Sequence, residues 1–520
     1  MKIISVDEMR QIEKEAYESG ISYEQMMITA GKKIAQKILS ETLYLNRTIT
    51  AIIGTGNNGG DALIALTELI KEGWTANAWM IRKRHDKDNL LSNFQYRNGQ
   101  TVEYQNDQYF NQLDQWLQSS DILLDGALGI GCHLPLASDY SEVFSHIHSI
   151  SKRFTTIAVD CPSGMDCDSG ECDEHCIHAD LTFCIEALKI GEIQNPGYRF
   201  TGKIESISLD LPENLPIYQK IKRNIIQRES LNKDIPVREV DGNKGTFGTV
   251  DIIGGSDQYI GAPILTGMAA YKAGCGLVNM FVPQIVRDIS ANMIPEAIWT
   301  ILNIKDPHAM DLCMEKIIEA KKKKHAFVIG PGFGIGDIQI EFTRKFFEQV
   351  QEVSPYSEQN FIIDADGLNL LAALADWPKR LPQLCILTPH PGEFSRLSAL
   401  PIQEIQRNRV RICEEYAKRW NKVVVLKGAY TVISSPDGRT GVLPIASSAL
   451  AKAGSGDVLS GIIAGFLSQG ISDQFTAACL GVWIHGNAGL IAKERIGNEY
   501  SVTATDIIQS IREAITTLIR

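Results

Sequence analysis

The chain has 520 residues, of which 44% are hydrophobic and 22% are charged, and its formal net charge is −11. This length predicts two domains, because a single hydrophobic core stops growing at about 250–300 residues. The acidic balance argues against nucleic acid as a partner, and no uninterrupted apolar run approaches the ~20 residues that cross a bilayer. The first residues lack the apolar core of a signal peptide, so we expect a cytoplasmic protein with no membrane partner.

The first half of the chain alternates between amphipathic helices and short β-branched strands. The strands are predicted at residues 49–54, 122–125 and 155–160. This alternation is typical of a parallel α/β sheet, in which ligands bind beyond the carboxyl ends of the strands. A polar stretch continues from residue 212 to about residue 241, so we predict domains at 1–220 and 221–520.

A glycine-rich segment from Gly54 to Asp61 follows the first of these strands and precedes a predicted helix at residues 62–71. Glycines let the backbone approach a ligand closely, and the free N–H groups at a helix start bind phosphate. The alternative is a tight turn that packs the helix on the sheet. The oxygen-bearing side chains of Asn57, Asn58 and Asp61 favour ligand binding, because a turn alone does not need them.

Acidic residues follow the other two strands. Asp125 opens a second glycine-rich segment, and Asp160 opens a segment that contains Ser163. A carboxylate at a strand end can transfer protons, although Asp160 could instead cap the turn at Pro162. We favour catalysis, because the neighbouring strand ends also carry ligand-type residues.

These segments resemble the YjeF N-terminal domain, the NAD(P)HX epimerase family, over about residues 1–215. The resemblance implies a Rossmann-like domain in which Asp160 is the acid–base residue. It also implies a potassium ion held by Asn58, Asp125 and Ser163. The residues that it implies for binding the phosphates and ribose of the hydrated cofactor are Asn57, Asn58, Gly59, Gly60, Asp61, Gly129, Ile130, Gly131, Cys132, His133, Leu134 and Pro135.

Leu134 departs from this family pattern, which has an arginine at that position. Loss of the arginine removes charge-assisted hydrogen bonds worth about 1.5–3 kcal/mol each, so we expect weaker cofactor binding. The family also continues the first segment as GGDG and reads GTG at residues 129–131. A ligand-binding or protein-interaction module without efficient turnover is therefore the alternative for this half.

Two clusters outside these motifs have alternative interpretations. The eleven cysteines are scattered, which indicates reduced thiols rather than a disulfide framework. One group invites a metal site, but its spacing matches no paired CxxC pattern, so we favour a polar surface insertion. Its members are Cys167, Cys172, Cys176, His175 and His178. The lysine run at 321–324 is predicted to be a solvated helix end rather than a binding patch.

The second half repeats the α/β pattern and ends in a glycine-rich turn. Strands are predicted at 249–253, 326–329, 361–363, 384–387 and 423–426. The segment 453–465 then opens an apolar helix. Its first N–H groups can form an anion hole, and Asp457 within it suggests a base for phosphoryl transfer. The alternative for Asp457 is a helix cap, but a cap does not explain the surrounding glycines.

Ordered motifs in this half resemble the YjeF C-terminal domain, the ADP- or ATP-dependent NAD(P)HX dehydratase, over about residues 225–515. The motifs are KGTFG at 244–248, IGGS at 253–256, GAP at 261–263, GPG at 330–332, DADGLN at 364–369, LTPHPGE at 387–393, VLKGA at 425–429 and AGSGD at 453–457. The resemblance implies a ribokinase-like fold with Asp457 as base. It implies a hydrated-cofactor site at Ala262, Gly332 and His390. The implied nucleotide-binding residues are Lys427, Gly428, Ala429, Tyr430, Thr431, Gly454, Ser455 and Gly456.

Some of these residues have simpler interpretations. His390 could be a turn histidine between prolines, and Lys427 could be a solvated residue at a strand end. Asp364 and Asp366 could bind magnesium, but side chains two apart on extended backbone face opposite ways, so shared ligation is not expected.

Together the two halves predict an enzyme that repairs hydrated nicotinamide cofactors. It would interconvert the R and S forms of NADHX and NADPHX and dehydrate the S form with ADP, or with ATP. The products would be AMP, or ADP, and phosphate. Potassium is expected at the epimerase site and magnesium with the nucleotide, in a homo-oligomer. The alternative is a ribokinase-like small-molecule kinase with a non-catalytic N-terminal binding domain.

Overall fold

The computed structural model describes residues 1–40, 46–85, 87–151, 154–319, 325–352 and 359–520. The chain forms two compact units, Met1–Arg223 and Asn224–Arg520. Both are α/β units built on parallel sheets, which confirms the predicted fold class. The lysine run at 321–324 lies outside the described residues, so its solvated helix end stays a prediction.

The first unit contains nine strands and seven helices among its described residues. They are β1 (Ile3–Ile4), α1 (Val6–Glu18), α2 (Tyr23–Ser40), β2 (Thr48–Ile53), α3 (Asn57–Lys71), β3 (Thr75–Met80), α4 (Asn89–Tyr96), β4 (Gln100–Glu103), α5 (Asn111–Ser119), β5 (Ile122–Gly126), α6 (Ser138–Ser149), β6 (Thr155–Val159), β7 (Leu181–Ile185), β8 (Leu188–Lys189), β9 (Lys203–Ile207) and α7 (Pro216–Lys220).

Seven of these strands form one parallel sheet in the order β4-β3-β2-β5-β6-β7-β9. The chain runs outward from β2 to one edge and then from β5 to the other. The strand order therefore reverses between β2 and β5, where open α/β sheets bind ligands. The loops that follow the two strands meet there, since Gly54 N donates to Gly126 O over 3.2 Å.

Helix α3 begins at Asn57, five residues before the predicted start, so Asn57 to Asp61 lie in the first turns of the helix rather than in a loop. Gly56 precedes the helix in extended conformation. Glycine is required at position 59, because a Cβ there would overlap the Gly54 carbonyl oxygen. The sequence boundary was wrong because these glycines serve helix–loop packing, which outweighs their low helix propensity.

The second unit contains ten strands and thirteen helices among its described residues. They are β10 (Arg223–Ile225), α8 (Arg228–Leu231), β11 (Thr249–Ile253), α9 (Gly261–Ala273), β12 (Leu277–Val282), α10 (Gln284–Ser290), β13 (Ile298–Ile301), α11 (Pro307–Glu319), β14 (His325–Ile329), α12 (Asp337–Glu352), β15 (Asn360–Ile363), α13 (Asp366–Ala372), α14 (Trp377–Arg380), β16 (Cys385–Leu387), α15 (Pro391–Ser398), α16 (Ile402–Arg407), α17 (Arg409–Trp420), β17 (Val423–Leu426), β18 (Val432–Ser434), β19 (Thr440–Val442), α18 (Ser455–Ser468), α19 (Gln474–Ile496) and α20 (Ala504–Ile519).

These strands form one sheet in the order β10-β19-β18-β17-β16-β15-β14-β11-β12-β13. Pairing is parallel from β17 to β13 and antiparallel at β17–β18 and β18–β19. The order reverses between β11 and β14, and Gly330 N donates to Ile253 O over 3.0 Å at that point. Loops that carry the predicted motifs therefore gather at this edge of the sheet.

Two apolar helices, α18 and α19, lie in the core of the second unit. The packing of α18 on α9 is close, because a Cβ at Gly461 would overlap the carbonyl oxygen of Thr266. By length and composition α19 could also cross a membrane, but 72% of its apolar window is buried inside the unit. A core helix passes the same composition test, because burial selects apolar residues on every face.

The segment near residue 170 is only partly the predicted polar surface insertion, because His178 is exposed but two of the cysteines are buried. Cys167 and Cys176 are buried in a small apolar cluster with Val6, Cys161 and Met165. A free cysteine packs like a small hydrophobic residue, which the polar neighbours in the sequence concealed. Among the described residues, no group of three or more histidine, cysteine or acidic side chains is placed to hold a metal ion.

Candidate active sites

A cavity of about 450 Å³ opens at the switch point of the first sheet. It lies between the two glycine-rich loops and the helices α1 and α2. The predicted site residues that line it are Asn57, Asn58, Asp61, Gly129, Ile130, Gly131 and Asp160. The other predicted cofactor contacts, Gly59, Gly60, Cys132, His133, Leu134 and Pro135, lie outside its lining. Of these, Cys132 is buried, and burial raises the pKa of its thiol to about 12.

Asp160 follows β6, and its carboxylate forms an ion pair with a buried lysine. Its backbone takes φ 68°, a conformation that is uncommon for a residue with a side chain. Its Oδ1 accepts hydrogen bonds from Lys189 Nζ and from Ile185 N, the latter over 3.2 Å. Lys189 is fully buried; burial opposes its charge, but the Asp160 and Glu192 carboxylates outweigh that cost and raise its pKa. The ion pair fixes the orientation of the Asp160 carboxylate beside the cavity.

Two further carboxyl groups, Glu13 and Asp61, line the same cavity. Asp61 is only 7% exposed, and burial together with the charges of Asp160 and Glu13 raises its pKa well above the usual range. Burial and the charge of Asp160 likewise raise the pKa of Glu13. Sequence reasoning missed Glu13, although its position one turn after the buried Met9 places a charge on the apolar face of α1.

Asn58, Asp125 and Ser163 come together around the backbone of Leu128. Asp125 accepts from Ser163 Oγ over 2.6 Å and from Ser163 N over 2.7 Å. Ser163 Oγ in turn accepts from Leu128 N, and Asn58 Nδ2 donates to Leu128 O, both over 2.8 Å. Asp125 is 1% exposed, and this burial raises its pKa to about 6 despite the Ser163 hydrogen bonds.

An arginine that the sequence did not single out reaches the first glycine-rich turn. Arg84 donates to the carbonyl oxygens of Gly54 and Gly56 and pairs with Asp88 over 2.6 Å. Leu134 is half-buried and outside the cavity lining. The sequence offered one indication that Arg84 lies near this turn, namely that it follows β3, the strand beside β2.

In the second unit, the glycine-rich turn forms the start of α18. Gly454 precedes the helix with φ 87°, a left-handed conformation that favours glycine. Ser455 is buried and its Oγ lies 2.9 Å from His485 Nε2. Asp457 follows in the first turn, and burial together with the charge of Asp364 raises its pKa to about 7. The turn thus presents N–H groups beside a carboxyl group that titrates near neutral pH.

Lys427 faces this turn and connects it to a buried aspartate. Its Nζ lies 2.7 Å from Asp364 Oδ1 and 3.6 Å from Glu393 Oε2. A Cβ built on Gly456 would lie 3.2 Å from the same Nζ. Ser460 completes the cluster by donating to Asp364 Oδ2 over 2.7 Å. The contact partners of Asp364 were not predictable from its motif.

The neighbouring Asp366 makes a different contact. It accepts a hydrogen bond from Gly334 N over 2.9 Å. The two aspartates of the motif thus have separate hydrogen-bond partners, and whether they share a magnesium ion stays a prediction.

His390 caps the helix α15. Its Nδ1 accepts from Gly392 N over 3.0 Å and from Glu393 N over 3.3 Å, and its Nε2 lies 3.3 Å from Glu393 Oε1. Burial and the charge of Lys427 lower the pKa of His390. Burial also raises the pKa of Glu393 to about 7. His390 therefore does cap a turn. Its role in substrate binding stays a prediction.

Two cavities of similar size lie in this unit. The first, about 700 Å³, is lined by these predicted residues: His390, Lys427, Gly428, Ala429, Thr431, Ser455 and Gly456. Tyr430 and Gly454 lie outside its lining. The second, about 690 Å³, is lined by residues 255–259 and 333–336 among others.

The predicted cofactor residues Ala262 and Gly332 lie next to the second of these cavities. A Cβ built on Gly332 would lie 2.6 Å from the Cβ of Tyr259, which lines that cavity, and 3.1 Å from the Cβ of Ala262. The structure thus brings Ala262 and Gly332 together and places His390 at the other cavity.

Comparison with known proteins covers both units. A family model for NAD(P)H-hydrate dehydratase matches residues 250–513, and a model for the YjeF-related protein N-terminus matches residues 23–191. The bifunctional NAD(P)H-hydrate repair enzyme Nnr of Moorella thermoacetica is 31% identical over 98% of this chain and 95% of its own length. The chain belongs to the NAD(P)H-hydrate repair enzyme family. The predicted family resemblance is confirmed.

Two further similar proteins are a full-length relative and a solved structure. The Nnr enzyme of Escherichia coli is 31% identical over 98% of this chain and 93% of its own length. A solved structure of the ADP/ATP-dependent NAD(P)H-hydrate dehydratase from Bacillus subtilis, co-crystallised with ATP/Mg²⁺, is 28% identical. It covers 56% of this chain and 98% of its own, with a TM-score of 0.48. Because the relatives that match over both units carry the repair name, the kinase alternative is not favoured.

Proposed function

We propose that this member of the NAD(P)H-hydrate repair family epimerises R and S NADHX and NADPHX and dehydrates the S form with ADP or ATP. The observation that carries the proposal is similarity over the full length to bifunctional repair enzymes. Each unit supports it with a cavity beside its predicted site residues. Asp160 lines the first cavity, and Asp457 follows two residues, Ser455 and Gly456, that line a cavity of the second unit.

In the epimerase unit, Asp160 would move protons at the hydrated ring. Inversion at the ring carbon that carries the hydroxyl requires a group that takes up a proton. The ion pair with the buried Lys189 keeps the Asp160 carboxylate oriented for this role. The cavity also contains the helix start at Asn57, whose N–H groups suit the cofactor phosphates.

Potassium fits the cluster of Asn58, Asp125 and Ser163. Asp125 is a buried carboxylate, and no ion pair reaches it from any residue that the structure describes. A buried charge is costly without a counter-ion, so a cation would lower that cost. Since Asn58 donates through its amide nitrogen, its Oδ1 is available as an oxygen ligand. The bound ion would supply positive charge beside Asp125 and so hold the loop that follows Asp125 in position at the substrate site.

In the dehydratase unit, Asp457 would take the proton from the ring hydroxyl as that oxygen attacks the terminal phosphate of the nucleotide. The N–H groups from Gly454 to Asp457 and the Lys427 ammonium would stabilise the transferring phosphoryl group. Phosphate then leaves with the electron pair of the carbon–oxygen bond, helped by the lone pair of the ring nitrogen, and the resulting ring cation loses a proton from the adjacent ring carbon to solvent, which restores the double bond. Phosphate is a better leaving group than hydroxide. The nucleotide therefore serves to convert the ring hydroxyl into a phosphate ester.

Magnesium would enter with the nucleotide, because Mg²⁺ keeps its waters and binds through few carboxylates and substrate phosphates. Asp364, Asp366 and Glu393 provide negative charge around Asp457, which fits this requirement. We retain ADP as the preferred phosphoryl donor. A homo-oligomer, a cytoplasmic location and the absence of nucleic-acid and membrane partners remain predictions from composition and resemblance.

The test supplies purified chain with mixed NADHX epimers, magnesium and either ADP or ATP, and follows recovery of NADH absorbance. We expect full recovery of both epimers with at least one nucleotide. Asp160→Asn should leave the R epimer unconsumed beyond its spontaneous rate, while S is still dehydrated. No recovery with either nucleotide would refute the repair function.

A further inference from the structure

Asp61 is buried, and its carboxyl group has no hydrogen-bond or ion-pair partner among the described residues. Its side chain is 7% exposed and lines the cavity of the first unit. Among the residues that the structure describes, none makes a hydrogen bond or ion pair with this carboxyl group. A buried polar group that faces a cavity without a partner is costly unless a ligand satisfies it. A ligand that enters this cavity can therefore be contacted by Asp61.

Asp160, in the same cavity, has the opposite environment. Lys189 and the amide of Ile185 both donate to its carboxylate. No cation among the described residues contacts Asp61, and burial together with the charge of Asp160 raises its pKa. One carboxyl group that is paired with a buried cation, and a second that has no such partner among the described residues, give the cavity two acidic groups in different environments. Enzymes use such pairs to separate an acid from a base.

We propose that Asp61 is a second catalytic residue of the epimerase site and acts as the general acid opposite Asp160. This inference rests on the proposed epimerase function. Asp61 donates its proton to the ring hydroxyl, the carbon–oxygen bond breaks with the electron pair leaving on oxygen, and the ring nitrogen lone pair stabilises the cation. Water then adds to the other face of the ring and gives its proton to Asp160. Solvent returns the proton from Asp160 to Asp61, so atoms and charge balance.

The competing role for Asp61 is the phosphate or ribose contact that the family resemblance implies. An ionised carboxylate repels phosphate, so a phosphate contact fits the site less well than a protonated acid, whereas a ribose contact has to be separated by experiment. The two roles differ in their kinetic signature. Loss of an acid lowers kcat, whereas loss of a binding contact raises KM.

The experiment compares wild type with Asp61→Asn in the full-length chain, using purified R-NADHX with saturating nucleotide and magnesium. The rate above spontaneous epimerisation is measured across pH, and S-NADHX is assayed in parallel. We expect Asp61→Asn to lose about 10²–10⁴-fold in kcat for R-NADHX, with KM changed by less than about threefold. Its residual rate should lack the alkaline limb of the wild-type pH profile, because that limb reports loss of the acid.

Glu13→Gln supplies the matched comparison, since Glu13 is the other carboxyl in the cavity with a raised pKa. Loss of the alkaline limb in Glu13→Gln but not in Asp61→Asn would assign the acid to Glu13 and overturn the proposal. A raised KM with unchanged kcat in Asp61→Asn, or wild-type behaviour, would also overturn it. Thermal unfolding of each variant identifies misfolding, and then Asp61→Glu, which keeps an acid, must recover the alkaline limb.

Failure of the proposed function looks different. In that case wild type itself would not consume R-NADHX faster than the spontaneous rate, whatever the variant does.

Discussion

Asp457 is the residue on which the dehydratase chemistry depends most directly. It lies in the first turn of α18 beside Lys427 and Asp364. We expect Asp457→Asn to lose about 10²–10⁴-fold in the dehydration of S-NADHX, because a missing general base costs this much. Nucleotide binding should survive, since the N–H groups of the turn remain. Calorimetric titration with ADP and magnesium checks binding, and wild-type turnover would refute the role of Asp457 as base.

The pH dependence of dehydration follows from the same carboxyl group. Burial and the charge of Asp364 raise the pKa of Asp457 to about 7, so the active, deprotonated form is lost as pH falls through about 7. Lys427 opposes this shift, so Lys427→Met should move the midpoint of the acid limb to higher pH. The measurement is kcat for S-NADHX at saturating nucleotide from pH 5 to pH 9. An unchanged midpoint would mean that another group controls the limb.

At the residue scale, sequence motifs located the strand-end carboxylates but not their partners. Asp160 and Asp457 were predicted because each follows a pattern with its own chemical rationale. The ion pairs of Asp160 with Lys189 and of Asp364 with Lys427 join residues 29 and 63 positions apart. Such pairs depend on which strands are neighbours, and spacing along the chain does not determine that.

The elements themselves were largely predictable where burial selects β-branched residues. The strands predicted at 249–253 and 423–426 coincide with β11 and β17. The strand predicted at 49–54 differs from β2 by one residue at each end, and that at 155–160 differs from β6 by one residue at its end. The start of α3 was missed because its glycines fit tight contacts rather than helix propensity. Boundaries set by tertiary packing are therefore the part of the fold that the sequence pattern leaves open.

The packing of α18 on α9 can be tested at Gly461. In an exposed helix Gly→Ala stabilises by about 0.5–1 kcal/mol, but here the added Cβ would overlap Thr266 O and lie 2.8 Å from Ala269 Cβ. Overpacking of this kind costs about 1–3 kcal/mol, so we expect Gly461→Ala to lower the free energy of unfolding and the Tm of the second unit. Differential scanning calorimetry provides the measurement.

Gly261→Ala on α9 is the control for that substitution. An added Cβ at Gly261 meets nothing within 4 Å, so the free energy of unfolding of the Gly261→Ala variant should change little. If Gly461→Ala stabilised the chain as much as Gly261→Ala or more, α18 and α9 would not be as closely packed as described.

At the scale of the whole molecule, the cavities lie in separate units and the proposed potassium and nucleotide sites lie in different units, so these two ligands should stabilise the units separately. A ligand that binds only the folded state adds RT ln(1 + [L]/Kd), about 2.7 kcal/mol at 100 times Kd. We expect ADP with magnesium to slow hydrogen exchange in peptides of Asn224–Arg520 around α18 and β17.

Potassium, in place of an equal concentration of choline, should slow exchange around residues 125–131 and 160–163 of Met1–Arg223. Asp125→Asn removes the charge that a bound cation would neutralise, so it should abolish the potassium effect and leave the nucleotide effect intact. Protection of the second unit by potassium alone, or an undiminished potassium effect in Asp125→Asn, would show that the cation binds elsewhere.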